Sequence, residues 1–279
     1  MTAVKNYIVT AANSKFYKSF CLLMYSYRRA KEYENSQVIF YDLGLSEDQA
    51  RTIKTKSNQI FEHVDYRIFN YENYPDFVNP SFNTYSWKPI IIHLCSQETK
   101  GNFLWMDSAN CILKNLKPIW REIETQLTYA PISGSGTLEE WTVQQTLDYL
   151  NVPKEFYSKR NKAGNTFGFS NKSKIVNELI TKWKDLALIR ECIRPKGANR
   201  SNHRDDQSLL TILLLDYANK GHFKLTTDEV DISSGHPTKF LSVRNKFPKG
   251  MPLSPGGLAF HYFSLLRFLD VMVNRIKGN

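Results

Sequence analysis

Cysteine is scarce and scattered. Only Cys21, Cys95, Cys111 and Cys192 occur in 279 residues, each in a separate apolar segment and with no C-x-x-C spacing. That pattern gives neither a disulfide framework nor a zinc site, and it reads as reduced, buried thiols in a cytosolic protein. Long apolar runs are also missing: no stretch approaches the roughly 20 residues of a membrane span, and Met1 to Asn13 lacks a cationic start followed by a long apolar core. A soluble, cytoplasmic protein is expected, with a membrane-peripheral position left open. Glycine (13) and proline (11) are too few for a fibrous or low-complexity chain, and no internal repeat is present. Acidic residues are in deficit, 27 against 37 Lys and Arg, for a formal net charge of +10. Such a balance favours anionic partners: nucleic acid, nucleotide phosphates or acidic membrane surfaces.

What is there is alternation. With 42% hydrophobic residues the chain can fill a large core. Through the first 110 residues, strand-like apolar runs (Tyr7 to Ala12, Gln37 to Leu43, His63 to Phe69, Phe103 to Met106) alternate with helical segments (Lys15 to Tyr33, Ser46 to Lys56, Trp87 to Gln97). The pattern predicts an α/β fold with a mostly parallel sheet. The second half is less regular. It predicts helices over Lys117 to Thr125, Thr142 to Tyr149, Ile175 to Cys192 and Asp206 to Ala218, and strands over Tyr129 to Ile132 and Phe167 to Ser170. Ser133-Gly134-Ser135-Gly136 reads as a flexible loop, and Phe260 to Lys277 as a basic amphipathic helix. No linker long enough to separate two domains is visible, so a single domain is expected, with residues 1–110 and 111–279 as its two halves.

Ligands of open α/β sheets gather beyond the carboxyl ends of the strands. Ala11 to Asn13 and Asp107 to Asn110 are the stretches that this rule selects, and Thr10, Ala11, Ala12, Asp107, Ser108 and Ala109 are the ligand-binding candidates there. A carboxylate delivered by a strand to a turn can meet a divalent cation or a ribose hydroxyl; it can equally be part of an ordinary Asp-Ser-Asn turn.

Several phrases, in order, resemble glycosyltransferases of the GT-A fold, particularly the family 8-like and related nucleotide-diphospho-sugar transferases. Ile8-Val9-Thr10-Ala11-Ala12-Asn13 with Phe16-Tyr17 is similar to the family's first strand and its base-packing aromatic residue. Tyr41 to Ser46 resembles the end of the second strand, and Trp87-Lys88-Pro89 resembles the start of the helix before the metal motif. Phe103 to Asn110 falls where the family has Asp-x-Asp, and Asp206-Gln207-Ser208-Leu209-Leu210 resembles its acceptor-side helix start. The resemblance spans most of residues 5 to 215. It implies a Rossmann-like, mixed but mostly parallel sheet flanked by helices, and transfer of a sugar from a nucleotide-diphosphate donor, UDP first, to a hydroxyl of a glycan or similar acceptor.

The resemblance also implies roles. Tyr17 would stack on the base, Lys88 would meet the diphosphate at a helix N-terminus, and Asp107 would bind the donor ribose or a Mn²⁺ or Mg²⁺ ion. Ala109 stands where the family carries its second carboxylate, so the ion lacks a hard ligand there and metal dependence stays open. His236 and His261 are the candidates for a C-terminal histidine ligand. Asp206, with Asp205 second, would serve the acceptor hydroxyl: as base in an inverting reaction, or as a positioning group under the retention that family 8 implies. Both also read as helix N-cap and first-turn residues. Gly168, Ser170 and Asn171, on the Gly-rich stretch from Gly164, together with His203, are the acceptor-side candidates, and Trp141 is either a lid aromatic over the sugar or a core residue.

The rival class is a non-catalytic nucleotide-sugar or nucleic-acid binding protein. Nucleic-acid binding would cluster the cations on one face, whereas the sequence scatters them, with modest groups at Arg28 to Lys31, Lys159 to Lys162 and Arg194 to Arg204. No nucleic-acid partner is therefore expected. The basic C-terminal helix offers a peripheral membrane contact or, equally, a packed helix.

Overall fold

The structure is a computed structural model that describes residues 5–227, 229–230 and 240–242. The helix expected over Phe260 to Lys277, together with His236 and His261, lies outside the described residues. In chain order the elements are β1 (Asn6–Ala12), α1 (Tyr17–Arg29), β2 (Gln37–Asp42), α2 (Glu47–Lys54), β3 (Val64–Ile68), α3 (Trp87–Glu98), β4 (Asn102–Met106) and β5 (Asn110–Ile112). They continue with α4 (Lys117–Gln126), β6 (Thr128–Tyr129), β7 (Ile132–Thr137), α5 (Gln144–Tyr149), β8 (Arg160–Lys162), β9 (Thr166–Ser170), α6 (Lys174–Ala187), α7 (Arg190–Ile193), α8 (Asp205–Asn219), β10 (Glu229–Val230) and β11 (Phe240–Ser242).

A six-stranded sheet has the order β3-β2-β1-β4-β9-β6. β1 and β2 pair in parallel from Tyr7 opposite Gln37 to Ala12 opposite Asp42, and β2 pairs in parallel with β3. β6 runs antiparallel to β9. The fold is thus α/β with a mostly parallel sheet and flanking helices, as the alternation predicts. Among the described residues no helix is long and apolar enough to cross a membrane.

The chain forms two compact units, interleaved in sequence rather than divided at residue 110. Among the described residues, one contains 6–68, 104–120, 229–230 and 240–242; the other contains 5, 69–103 and 121–227, and the chain passes between them inside β4.

In the first unit, the buried run of β1 is what a central parallel strand requires. Helix α1 presents Phe20, which stacks on Phe40 of β2 at 4.2 Å between centroids and on Phe61 at 5.7 Å. Helix α2 starts where Ser46 predicts, and a reciprocal capping box joins Ser46 and Gln49. Glu32 is fully buried, and its Oε1 accepts the Trp120 indole N–H at 2.6 Å. All four cysteines are buried thiols, and burial pushes Cys21, Cys111 and Cys192 up to about 12, which keeps them unreactive.

In the second unit, α3 opens with Pro89 in its first turn, where a missing N–H leaves no hydrogen bond unmade, and it packs on α6. Trp183 of α6 is buried, edge-on to Phe167 at 5.2 Å, and donates its indole N–H to the Asp206 carbonyl at 3.1 Å. The first turn of α8 is thereby pinned.

Two expectations change. Ser133 to Gly136 is not a loop: it lies in β7, paired antiparallel with β8, and the register shift between Ile132 and Thr137 absorbs the glycines, with Gly136 at φ 82°. The helix expected over Ile175 to Cys192 is two helices, because Leu188 ends α6 and Ile189, at φ −105° and ψ 109°, interrupts the spiral before α7.

Burial raises the Glu32 carboxyl above the ordinary range, with the Trp120 indole pulling it back in part. The folded state therefore holds this proton longer than the unfolded chain, and stability is lost as pH rises from about 4.5 through the folded pKa. Denaturant unfolding of Glu32→Gln and wild type between pH 4 and 8 is expected to show the variant gaining relative stability with rising pH. A constant difference across that range contradicts the assignment.

Candidate functional site

Two groups of predicted residues fall in different units. In the first unit, Thr10, Ala11 and Ala12 form the carboxyl end of β1 and are all buried. The Thr10 hydroxyl and the Asn13 side-chain oxygen make no hydrogen bond. Asp42, at the end of β2, shapes the turn that follows: its Oδ1 accepts the Gly44 and Leu45 N–H groups at 2.7 Å each, and its Oδ2 accepts the Tyr66 hydroxyl. Tyr17, half-buried at the start of α1, has its hydroxyl against Cys21 and Thr52, and burial pushes that hydroxyl up to about 12.

Asp107 follows β4, half-buried, and its Oδ1 accepts the Trp105 indole N–H at 2.7 Å. Its carbonyl closes the turn to Asn110 at 2.8 Å, and Ser108, Ala109 and Asn110 are buried. Among the described residues no group of three or more His, Cys, Asp or Glu could hold a metal ion.

The second unit holds the denser constellation, built around the N-terminal turn of α8. Lys88, the second residue of α3, is buried, and its ammonium lies 3.1 Å from Asp206 Oδ2. The Lys88 and Asp206 side chains are 4% and 5% exposed. Lys88 also donates to the Gly164 carbonyl at 2.8 Å, and it sits 5.4 Å from the Tyr85 ring and 5.9 Å from the Trp87 ring. A Cβ at Gly164 would stand 3.0 Å from Gln207 Cβ, so glycine eases this close approach. Gln207 in turn donates to the Lys162 carbonyl at 2.8 Å and to the Ser135 hydroxyl at 3.3 Å. Burial pulls the Lys162 ammonium down to about 8, and it donates to the Thr226 carbonyl at 3.2 Å.

Asp205 and Asp206 diverge because Asp205 stands at φ 43°, in the left-handed region that an aspartate tolerates better than most residues. Asp205 takes a two-pronged grip from Arg194, whose Nε donates to Oδ1 at 2.6 Å while its second guanidinium nitrogen meets Oδ2. Asp205 is consequently neither the expected N-cap nor a carboxylate open to an acceptor. Arg204 occupies the cap position and makes no side-chain cap bond.

Three acceptor-side candidates have partners within the fold. His203 is buried, with Nε2 at 2.8 Å from the Ile193 carbonyl and Nδ1 accepting the Val143 N–H at 3.4 Å. Both nitrogens are used, and burial holds the ring's pKa down, so it ties α7 to the start of α5 as a neutral imidazole. Gly168 exists for packing: a Cβ there would collide with the Ile123 side chain and come within 3.0 Å of the Phe103 carbonyl. Asn171 is buried, its Oδ1 accepting the Gly101 N–H at 2.8 Å while its amide donates to the Ser96 and Thr99 carbonyls. Ser170 is buried at the end of β9. Trp141 is half-buried and carries the Arg204 guanidinium over its ring at 3.7 Å. The sequence reading missed the Arg194, Lys162 and Tyr85 partnerships, which no local spacing announces.

Residues 2–93 match a family model described as a protein of unknown function, DUF1647. No curated protein matches the chain. Among solved structures, the chain is similar to the galactosyltransferase LgtC in complex with donor and acceptor sugar analogues, with a TM-score of 0.49 and 15% identity over 74% of this chain and 70% of that one. It is also similar to mouse xyloside xylosyltransferase 1 in its apo form, with a TM-score of 0.49 and 8% identity over 82% and 86%. A third similar structure is core-mannan synthase A of Aspergillus fumigatus in its Mn/GDP form, with a TM-score of 0.43 and 9% identity over 76% and 70%.

Asn171→Ala removes the partners of three backbone groups at the α3–β4 connection, and at roughly 1–3 kcal/mol per orphaned buried group the loss is expected to reach about 3 kcal/mol. Denaturant unfolding measures it. A loss below about 0.5 kcal/mol, the range of an ordinary surface substitution, contradicts the structural role.

Proposed function

We propose that this protein is a glycosyltransferase that moves a sugar from a nucleoside-diphosphate donor, UDP-linked first, to a hydroxyl of a glycan. The observation that carries the proposal is the buried Lys88–Asp206 pair. Two residues far apart in sequence, each selected by the resemblance for a part of this reaction, meet at 3.1 Å beside Gly164 and Gln207.

The geometry favours a positioning role for Asp206. An adjacent ammonium and the N-terminal end of α8 both stabilise its ionised form, which makes it a weak base but a well-aimed hydrogen-bond acceptor. A sugar or acceptor hydroxyl placed against it would be oriented for attack, and orientation is among the largest contributions to bimolecular group transfer. Lys88 keeps that carboxylate from repelling an incoming diphosphate. The first-turn N–H groups of α3, around an N-cap that makes no side-chain bond, add the partial positive charge that favours anions at helix N-termini.

The nucleoside is assigned to the first unit: Thr10, Ala11 and Ala12 at the end of β1, Tyr17 on α1, and Asp107 with Ser108 and Ala109 after β4. Asp107 would accept from ribose hydroxyls.

Thermal unfolding against UDP-, GDP-, CMP- and dTDP-sugars, each with and without Mn²⁺, tests the proposal. A donor at about 100 times its Kd is expected to stabilise the protein by roughly 2.7 kcal/mol, confined to one nucleotide class and weakened in Asp107→Ala. In the same assay series Asp206→Asn is expected to keep donor binding and lower kcat by about a hundredfold or more. No stabilisation by any donor overturns the proposal. Stabilisation without turnover on any glycan favours a non-catalytic nucleotide-sugar binding protein.

A further inference from the structure

The connection from α7 to α8, Arg194 to Arg204, holds Arg194, Lys196, Arg200 and Arg204 and no acidic residue. With Lys88, these are five cations beside two carboxylates, Asp205 and Asp206. The carboxylates are taken by Arg194 and Lys88. Lys196 and Arg200 are exposed and make no ion pair among the described residues.

The loop is rigid as well as charged. Asn202 Oδ1 accepts the Asn199 N–H at 2.8 Å, Asn199 Oδ1 accepts the Ser201 N–H at 2.9 Å, and the Asn199 carbonyl accepts the His203 N–H at 2.8 Å. Its two outer guanidiniums are shelved on aromatic rings. Arg200 lies 5.3 Å from the Tyr85 centroid and donates to the Tyr85 hydroxyl, and Arg204 lies 3.7 Å from the Trp141 centroid and donates to the Arg200 carbonyl at 2.8 Å. A stacked guanidinium keeps a planar edge of N–H donors for a carboxylate, phosphate or sulfate, with little rotamer freedom left to lose. Tyr85 is shared: Lys88 lies 5.4 Å from the same ring. A single side chain therefore separates this edge from the Lys88–Asp206 pair.

We infer that Arg200 and Arg204, with Lys196, form an anion-reading subsite, and that the acceptor is an acidic glycan carrying a carboxylate, phosphate or sulfate near the hydroxyl that is modified. The inference rests on the transferase reading and adds the substrate class to it. A glycan suits the patch better than nucleic acid, because the cations occupy one short loop instead of a track, and both rings that could stack on bases are covered by arginines.

The test uses the full chain and three oligosaccharides, rich in carboxylate, sulfate and phosphate respectively, each beside its carboxyl-reduced, desulfated or dephosphorylated counterpart. At least one acidic form is expected to bind roughly tenfold or more tightly than its neutral partner, as for a charge-assisted contact. Arg200→Gln is expected to erase that preference, whereas Lys174→Gln, an exposed lysine on α6, leaves it intact. Equal binding of acidic and neutral forms, or a preference that survives Arg200→Gln, overturns the inference. So does tighter, Arg200-dependent capture of single-stranded DNA or phosphatidylserine vesicles. Donor stabilisation without acid preference defeats this inference alone, and acid preference without any donor stabilisation defeats the transferase reading and the acceptor assignment with it.

Discussion

Removing a lysine ammonium and an aspartate from water together is unfavourable unless every remaining donor and acceptor finds a partner. Lys88 is met on its other side by the Gly164 carbonyl at 2.8 Å, and the missing Cβ of Gly164 leaves room for the close approach of Gln207. Trp183 has to hold the Asp206 carbonyl so that the first turn of α8 does not drift. Asp205 has to take a left-handed conformation so that consecutive carboxylates point to different cations, an arrangement of order 1–3 kcal/mol in strain that only an over-determined neighbourhood maintains. His203, bonded to the Ile193 carbonyl and the Val143 N–H, and Arg194, gripping Asp205, are the ties that supply that over-determination.

In the proposed transferase, the same constraint makes Asp206, fixed beside the Lys88 ammonium at 3.1 Å, a group that orients a hydroxyl. The first unit is organised differently, by apolar parallel strands whose carboxyl ends carry small residues and two carboxylates, Asp42 and the half-buried Asp107. At the end of β1 the Thr10 hydroxyl and the Asn13 side-chain oxygen make no hydrogen bond.

Much of this was legible in the sequence because local rules decide it. Continuous apolar runs gave β1 and β2, Ser46 and Gln49 marked the start of α2, and Pro89 marked the first turn of α3. Ser133 to Gly136 was not legible, because pairing with β8 overrides the turn chemistry of two glycines and two serines. Lys88, Asp107 and Asp206 were found by phrase and order, but their partners were not. Arg194 reaches Asp205 and Trp141 receives Arg204 through tertiary placement, which leaves no spacing in the chain. Asn171 and Gly168 look like sugar-binding residues in the sequence for the reason that makes them structural: an amide and a missing Cβ serve a tight backbone approach as well as they serve a ligand.

The most direct measurement is a double-mutant cycle on Lys88→Met and Asp206→Leu, reading stability and donor affinity on the same four proteins. Each single change strands a buried charge and is expected to lose about 3–5 kcal/mol, whereas the double variant, with no charge to strand, recovers most of it. If the pair exists for function, that recovered double variant has lost nucleotide-sugar binding or turnover. A double variant that is stable and still binds and transfers like wild type contradicts the central claim, leaving the pair as packing alone.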